Sequence, residues 1–364
     1  MKVLSVFGTR PEAIKMAPVI KELRQSPGIQ SRVCVTAQHR EMLDQVLDLF
    51  EIAPDHDLDI MQENQTLASV TSNVLSRLDE VINIETPDWI LTQGDTTTAM
   101  VASLAGFYRG VKVGHVEAGL RTWNRHHPFP EEINRRIADA VCDLHFAPTE
   151  EARSNLLREG IDDSSIAVTG NTVIDALHDV ANRPFIWNGG PLSTIPLEKR
   201  IILVTAHRRE NFGGALEAIC RALEEIAGRG DTTIVYPVHM NPNVRSAVSR
   251  LQGSAGIVLM EPLDYLPLVH LMKASYLVLT DSGGLQEEAP GLGKPVLVMR
   301  ETTERPEGVA AGTVKLVGTN QAAIVNEVSR LLDDAAEYEK MSRAINPYGD
   351  GNASKRIVAR LLGM

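Results

Sequence analysis

The sequence predicts an α/β protein of two similar domains, each built on a doubly wound parallel sheet. Three observations carry that prediction. Short, unbroken Val/Ile/Leu runs recur along the whole chain, helical patterns stand between them, and one Pro- and Gly-crowded stretch splits them into two sets of six. Unbroken apolar runs mark strands covered on both faces, and their alternation with helices marks βαβ units. A chain of 364 residues exceeds one ordinary core and suits two domains.

In the first half the predicted strands are residues 3–7, 32–36, 89–92, 111–116, 144–147 and 166–169, with amphipathic stretches such as 42–50 and 67–81 between them. In the second half they are residues 201–205, 233–238, 257–260, 276–280, 296–299 and 314–317, with helical patterns over 215–227 and 324–332. Pro184, Gly189, Gly190, Pro191 and Pro196 crowd into 182–199, which reads as a linker between domains 1–181 and 200–364 facing each other across a cleft. The apolar run at the N-terminus is cut short by Gly8, Arg10 and Glu12, so it reads as a first strand and not as a signal peptide. No stretch approaches the roughly 18 apolar residues of a membrane span, and the expected location is the cytoplasm.

Composition narrows the partners. A net charge of −11 argues against a broad nucleic-acid or anionic-membrane surface, leaving room for an anionic small molecule met by local positive charge. The 3 cysteines have no metal-like spacing and read as buried packing in a reducing compartment. His126-His127 lacks a third ligand at a useful spacing, so no metal is expected.

Polar clusters stand where predicted strands give way to helices: Gly8-Thr9-Arg10-Pro11-Glu12, Gly94-Asp95-Thr96, Glu117-Ala118-Gly119, Pro130-Glu131-Glu132, His207-Arg208-Arg209-Glu210-Asn211 and Asp281-Ser282-Gly283-Gly284. All strands of a parallel sheet end at one edge, where ligands bind, so these clusters converge and point to an enzyme acting on a phosphorylated small molecule. Pro11 suits a first helical position, with Thr9 or Arg10 as the cap. Lys15 lies one turn on, near the positive end of the helix dipole, which makes sense if an anion binds beside it and Arg10. Ser282, Gly283 and Gly284 form a second phosphate cradle, although the same turn could be a simple helix cap. Glu288 is placed to accept from a ribose diol, or merely to favour the helix dipole.

Asp95, before Thr96, reads on its own as a helix N-cap. Glu117 ends a strand with no helix to cap and reads as a carboxylate aimed into the cleft. Glu131 sits in a helix first turn and can pair with Arg135 at i+4. Three carboxylates at element ends of one domain suggest acid/base work. His207 at a strand end beside two arginines suits a phosphate ligand or proton donor.

Together these motifs resemble the bacterial non-hydrolysing UDP-N-acetylglucosamine 2-epimerases. The resemblance runs in order through Val6–Lys15, Thr36-Ala37-Gln38-His39-Arg40, residues 94–98, 114–122, 169–175, 206–211, 281–290, 302–307 and 346–351. It implies a GT-B architecture, UDP mostly on the C-terminal domain, and a last helix able to pack back on the first. It implies interconversion of UDP-GlcNAc and UDP-ManNAc: elimination of UDP to 2-acetamidoglucal, then re-addition with C2 reprotonated on its other face. Carried over by resemblance, Asp95, Glu117, Glu131, Lys15 and His207 are catalytic, and Arg10, Ser282, Gly283, Gly284 and Glu288 grip UDP. Gln38, His39 and Arg208 match parts of a second, activating UDP-GlcNAc site of some members. No metal or nicotinamide cofactor is implied; a homodimer is, as is a supply of ManNAc-type sugars for surface polysaccharide. Gln93 stands where many members have His, and His126-His127-Pro128 where Ser-Pro is common; neither is expected to touch a residue assigned to chemistry. The competing readings are an epimerase of another UDP-2-acetamido sugar, a GT-B glycosyltransferase, and a non-catalytic nucleotide-sugar sensor that would keep Arg10 and Ser282 while losing the carboxylates.

Overall fold

The computed structural model describes residues 1–37, 40–60 and 65–363. Its first unit holds seven parallel strands: β1 (Lys2–Phe7), β2 (Gln30–Val35), β3 (His56–Asp57), β4 (Trp89–Gln93), β5 (Lys112–Val116), β6 (Leu144–Ala147) and β7 (Ile166–Val168). They lie in the order β3-β2-β1-β4-β5-β6-β7. The second unit holds β8 (Arg200–Thr205), β9 (Thr232–Pro237), β10 (Ile257–Met260), β11 (Leu277–Thr280), β12 (Val296–Val298) and β13 (Val314–Leu316). These are also parallel, in the order β10-β9-β8-β11-β12-β13. Both orders are doubly wound, reversing direction beside the first strand of each sheet.

All twelve expected strands are present, because each carries an apolar run, and those at the centre of each sheet are buried on both faces. Leu4, Val6, Ile90 and Leu91 of β1 and β4 are wholly buried, as are Ile202, Leu203, Leu277 and Leu279 of β8 and β11. Burial of each such side chain is worth about 1.5–3 kcal/mol. The unexpected strand, β3, consists of one His and one Asp and has no apolar run to reveal it.

The chain divides into two compact units, Met1–Ala176 with Tyr348 onward, and Leu177–Pro347. The boundary thus falls inside the helix Thr172–Ala181, and residues 182–199, expected as a linker, belong to the second unit. The composition of that stretch announces irregular backbone, but Leu192 and Ile195 within it are buried, so it is a packed segment of its unit. The C-terminal segment returns to the first unit. Asn171 N donates to Tyr348 O (2.6 Å), and the helix Ala353–Leu361 packs against the helix Arg10–Gln25.

Asp175 fixes that return. Its carboxylate accepts from Ala353 N (3.1 Å), Ser354 N (2.8 Å) and Ser354 Oγ (2.6 Å), capping the last helix from a distant part of the chain. Asp175→Ala strands those buried donors, and urea unfolding of the first unit is expected to show a loss of about 1–3 kcal/mol. An unchanged midpoint would show that the C-terminal helix is held by its apolar face alone.

Candidate active site

Ligands of doubly wound sheets sit beyond the strand ends at the point where strand order reverses. In the first unit that point lies between β1 and β4, and in the second between β8 and β11. The loops leaving these four strands carry residues 8–12, 94–96, 206–211 and 281–284.

At the first point the chain approaches itself closely. A Cβ on Gly8 would lie 2.0 Å from Thr36 Oγ1 and 2.8 Å from Thr98 Oγ1, so only glycine fits. The next helix, Arg10–Gln25, has Thr9 as N-cap, and its buried Glu12 reaches back over the turn. Glu12 Oε2 accepts from Gly8 N (2.9 Å), Thr9 N (2.7 Å) and Thr9 Oγ1 (2.8 Å), while Oε1 accepts from Thr96 Oγ1 (2.5 Å). Burial raises the Glu12 carboxyl above its ordinary value despite these donors. This carboxylate ties the turn after β1 to the turn after β4. Arg10 opens the helix, beside it.

Lys15 meets a carboxylate of the protein itself. Lys15 Nζ lies 2.6 Å from Glu117 Oε1, which also accepts from Asn171 Nδ2 (3.0 Å). Gln93 Nε2 donates to the other oxygen, Oε2. Gln93 therefore does touch a residue assigned to chemistry, contrary to expectation, because the last side chain of β4 points at the end of neighbouring β5. The Glu117 side chain is only 4% exposed, so the carboxylate is enclosed by donors. Its backbone is left-handed, φ 64°, a conformation that costs a non-glycine residue on the order of 1–3 kcal/mol and is often kept at functional positions.

Asp95 is not the helix cap. Thr96 takes that role, accepting from Ala99 N at 3.1 Å, and leaves Asp95 free to ion-pair with Arg135 Nη2. The Asp95 side chain is 33% exposed. Arg135 also donates through Nη1 to Glu117 O (2.5 Å), so one buried guanidinium locates both carboxylate residues. It is thereby unavailable to Glu131, whose expected i+4 pairing is not made. Half-buried Glu131 has no side-chain hydrogen bond or ion pair among the described residues.

The helix Glu131–Val141 buries a polar stripe of Glu132, Asn134, Arg135 and Asp139. Glu132 accepts from Thr122 N (2.9 Å) and Trp123 N (3.1 Å), and Asn134 Nδ2 donates to Asp95 O (2.9 Å). Asp139 meets His115 Nδ1 (2.5 Å) and Arg121 Nη2 (2.5 Å), while His115 Nε2 meets Gly94 O (2.7 Å). Burial alone would raise the Asp139 carboxyl, but His115 and Arg121 hold it well below the usual range.

At the second point His207 follows β8, its ring stacked on His239 with centroids 5.3 Å apart. Ser282 stands at the N-cap position of the helix Gly283–Gly291 without a side-chain capping hydrogen bond, and the first amides of that helix have no helical partner. Arg305 and Arg208 lie over this helix start: a Cβ on Gly283 would be 3.1 Å from Arg305 Cζ and 3.5 Å from Arg208 Nη2. Arg305 Nε pairs with Glu287 (2.7 Å), and buried Glu288 accepts from Tyr265 OH (2.7 Å). Gln38 and His39 lie outside the described residues. Gln93, Arg135, Asn171, Tyr265 and Arg305 were not assigned from sequence. A helix with charged and amide residues at 3–4-residue spacing, as in residues 131–141, was the available signal for Arg135.

Two parallel doubly wound sheets, with carboxylates and cations at one switch point and an arginine-covered helix start at the other, place the chain in the GT-B class of α/β enzymes. The pattern of the UDP-N-acetylglucosamine 2-epimerase family matches residues 21–362. The chain is 57% identical over 371 residues to a Yersinia pestis UDP-N-acetylglucosamine 2-epimerase, covering 99% of this chain and 98% of that one. It is similar to the Neisseria meningitidis UDP-GlcNAc 2-epimerase structure bound to UDP-GlcNAc, at TM-score 0.91 and 52% identity, with 100% of each chain covered. A Methanocaldococcus jannaschii UDP-GlcNAc 2-epimerase in complex with UDP-GlcNAc and UDP matches at TM-score 0.81 and 34% identity, again over 100% of each chain. The chain belongs to the UDP-N-acetylglucosamine 2-epimerase family.

A pH test follows from the cations around the second switch point. Glu304 accepts from Arg300 Nη1 (2.7 Å) and Nη2 (3.0 Å) and lies 3.6 Å from Arg208 Nη1. Burial opposes its ionisation, but the Arg300 fork, a backbone amide and the Arg208 charge together outweigh it and hold the carboxyl at about 2, against an ordinary 4.5. A depressed acid stabilises the fold above its unfolded value and loses that contribution as pH falls toward its folded value. Wild type should therefore exceed Glu304→Gln in stability at neutral pH, and the gap should close between about pH 4.5 and 2 in urea titrations. A gap independent of pH would mean that packing, not charge, sets the effect.

Proposed function

We propose that the chain interconverts UDP-GlcNAc and UDP-ManNAc by eliminating UDP to 2-acetamidoglucal and adding it back. The observation that carries this reading is the enclosed Glu117 carboxylate, set between Lys15, Gln93 and Asn171 and linked through Arg135 to Asp95. The reaction needs a carboxylate to take the C2 proton while the C1–O bond breaks, and another acid to return a proton to the opposite face. It also needs fixed charge to stabilise oxocarbenium-like character at C1 and the departing diphosphate.

In this reading Asp95, Glu117 and Glu131 form the acid/base group, with Lys15 and His207 as their cationic and proton-carrying partners. Arg10, Ser282, Gly283 and Gly284 take the diphosphate, Glu288 takes the ribose diol, and Arg305 joins them by its place over Gly283. The first unit then carries the sugar chemistry and the second the UDP. Arg208, lying over the same helix start, is read as shared with an activating UDP-GlcNAc site. Family resemblance supports a cytoplasmic homodimer that supplies ManNAc-type sugars for surface polysaccharide. Among the described residues no helix is long and apolar enough to cross a membrane.

The direct test is NMR of UDP-GlcNAc incubated with the protein in D2O. Deuterium at C2 together with UDP-ManNAc is the expected result. Free sugar alone would indicate hydrolysis, and an unchanged spectrum would favour a transferase, a sensor or a different UDP-2-acetamido sugar.

Two sets of variants separate chemistry from binding. Asp95→Asn, Glu117→Gln and Glu131→Gln should each lower turnover by about 10²–10⁴ while keeping UDP affinity, as expected when an acid or base is lost. Near-native turnover by Glu117→Gln would remove it from the scheme. Ser282→Ala and Glu288→Ala should instead weaken UDP binding in calorimetry by roughly ten- to hundredfold, the worth of a hydrogen bond to a charged group. Unchanged affinity in both would refute the UDP assignment.

A further inference from the structure

We propose that Asp281 is the positioning residue of His207, fixing which imidazole nitrogen carries the proton and which one faces the substrate. The proposal rests on the reading of His207 as a proton-carrying group.

Asp281 opens the Asp281-Ser282-Gly283-Gly284 turn, but its carboxylate is taken up by the loop after β8. The residue follows β11 and is wholly buried. Its Oδ2 accepts from His207 N (2.8 Å), Arg208 N (2.8 Å) and Asn211 Nδ2 (3.0 Å), so it grips the loop after β8 across the switch point. Its Oδ1 lies 3.2 Å from His207 Nδ1 and has no hydrogen-bond partner of its own among the described residues. A buried carboxylate oxygen without other donors is costly, which favours a proton on the Nδ1 that lies 3.2 Å from it.

The ring is thus held on one edge by Asp281 and on one face by His239, while its side chain remains 36% exposed against 0% for Asp281. Nε2 is the nitrogen left for the substrate. Burial would raise the Asp281 carboxyl, yet the His207 ring and the two loop amides hold it below its ordinary value. A buried carboxylate behind the ring lies beside Nδ1 whether or not Nε2 also carries a proton, as in other carboxylate–histidine pairs. As the C1–O bond breaks, Nε2–H then passes its proton to the departing diphosphate oxygen, leaving neutral imidazole. On re-addition the same proton returns to Nε2. Among the described residues, the charged and titratable groups against the ring are Asp281, from the loop after β11, and His239, from the segment after β9.

Asp281→Asn is the informative variant. Its remaining oxygen still serves the three donors on the loop, while the new NH2 faces His207 Nδ1 and demands an acceptor there. Nitrogen-15 NMR of the unliganded protein should show the neutral-ring proton moving from Nδ1 to Nε2. Turnover should fall by about 10²–10⁴, with a shifted pH profile and a UDP Kd within about threefold of wild type. Combining Asp281→Asn with His207→Gln should be no slower than His207→Gln alone, because both act through one ring. Additive losses, or an unmoved tautomer, would overturn the role of Asp281. A His207→Gln enzyme at full rate would overturn the role of His207 itself, a failure separable from the first by the NMR result.

Discussion

The buried polar face of the helix Glu131–Val141 is the constraint on which the first unit's site depends. Burying Glu132, Asn134, Arg135 and Asp139 is tolerable only because each one meets a partner, and those partners are on β5 and on the loops that leave β4 and β5. An apolar face would have packed with latitude. A charged face of fixed hydrogen bonds holds Asp95 and Glu117 to one geometry, since moving either strands a guanidinium or a carbonyl. Left-handed Glu117 shows the same logic, because a strained backbone persists only where its surroundings over-determine it.

The second unit solves a similar problem with fewer groups. One buried carboxylate, Asp281, replaces the helix stripe and ties the loop after β8 to the end of β11. In the same unit Arg208, Arg300 and Arg305 are each matched to Glu304, Glu210 or Glu287, and two of these cations, Arg208 and Arg305, lie over one helix start within a chain of net charge −11. Their carboxylate partners hold the guanidinium groups in place, which lowers the entropy lost when an anion arrives.

Much of this was legible in the sequence because the strands are read from local apolar runs, and parallel sheets make such runs continuous. The strand ends then located Glu117, His207 and Ser282 without further information. β3 escaped because a two-residue His-Asp strand has no such run, and the packed segment 182–199 escaped because composition reports backbone irregularity and not burial. Asp95 was misread as a cap because Thr96, one residue on, competes for that role with an equally suitable oxygen. Arg135 was legible only as the partner of a helical neighbour. Its true partners lie 18 and 40 positions away, a separation that no local pattern encodes.

The return of the chain to its first unit has a consequence for biogenesis. Residues 1–176 emerge from the ribosome well before the segment from Tyr348 onward that completes them, whereas residues 177–347 are contiguous. During synthesis the later unit therefore has all its parts first, and the earlier one waits with the Asp175 carboxylate and one face of the helix Arg10–Gln25 uncovered. Vectorial folding, which ordinarily favours the N-terminal domain, is inverted here. The nascent chain must keep an unfinished half soluble until its last helix arrives.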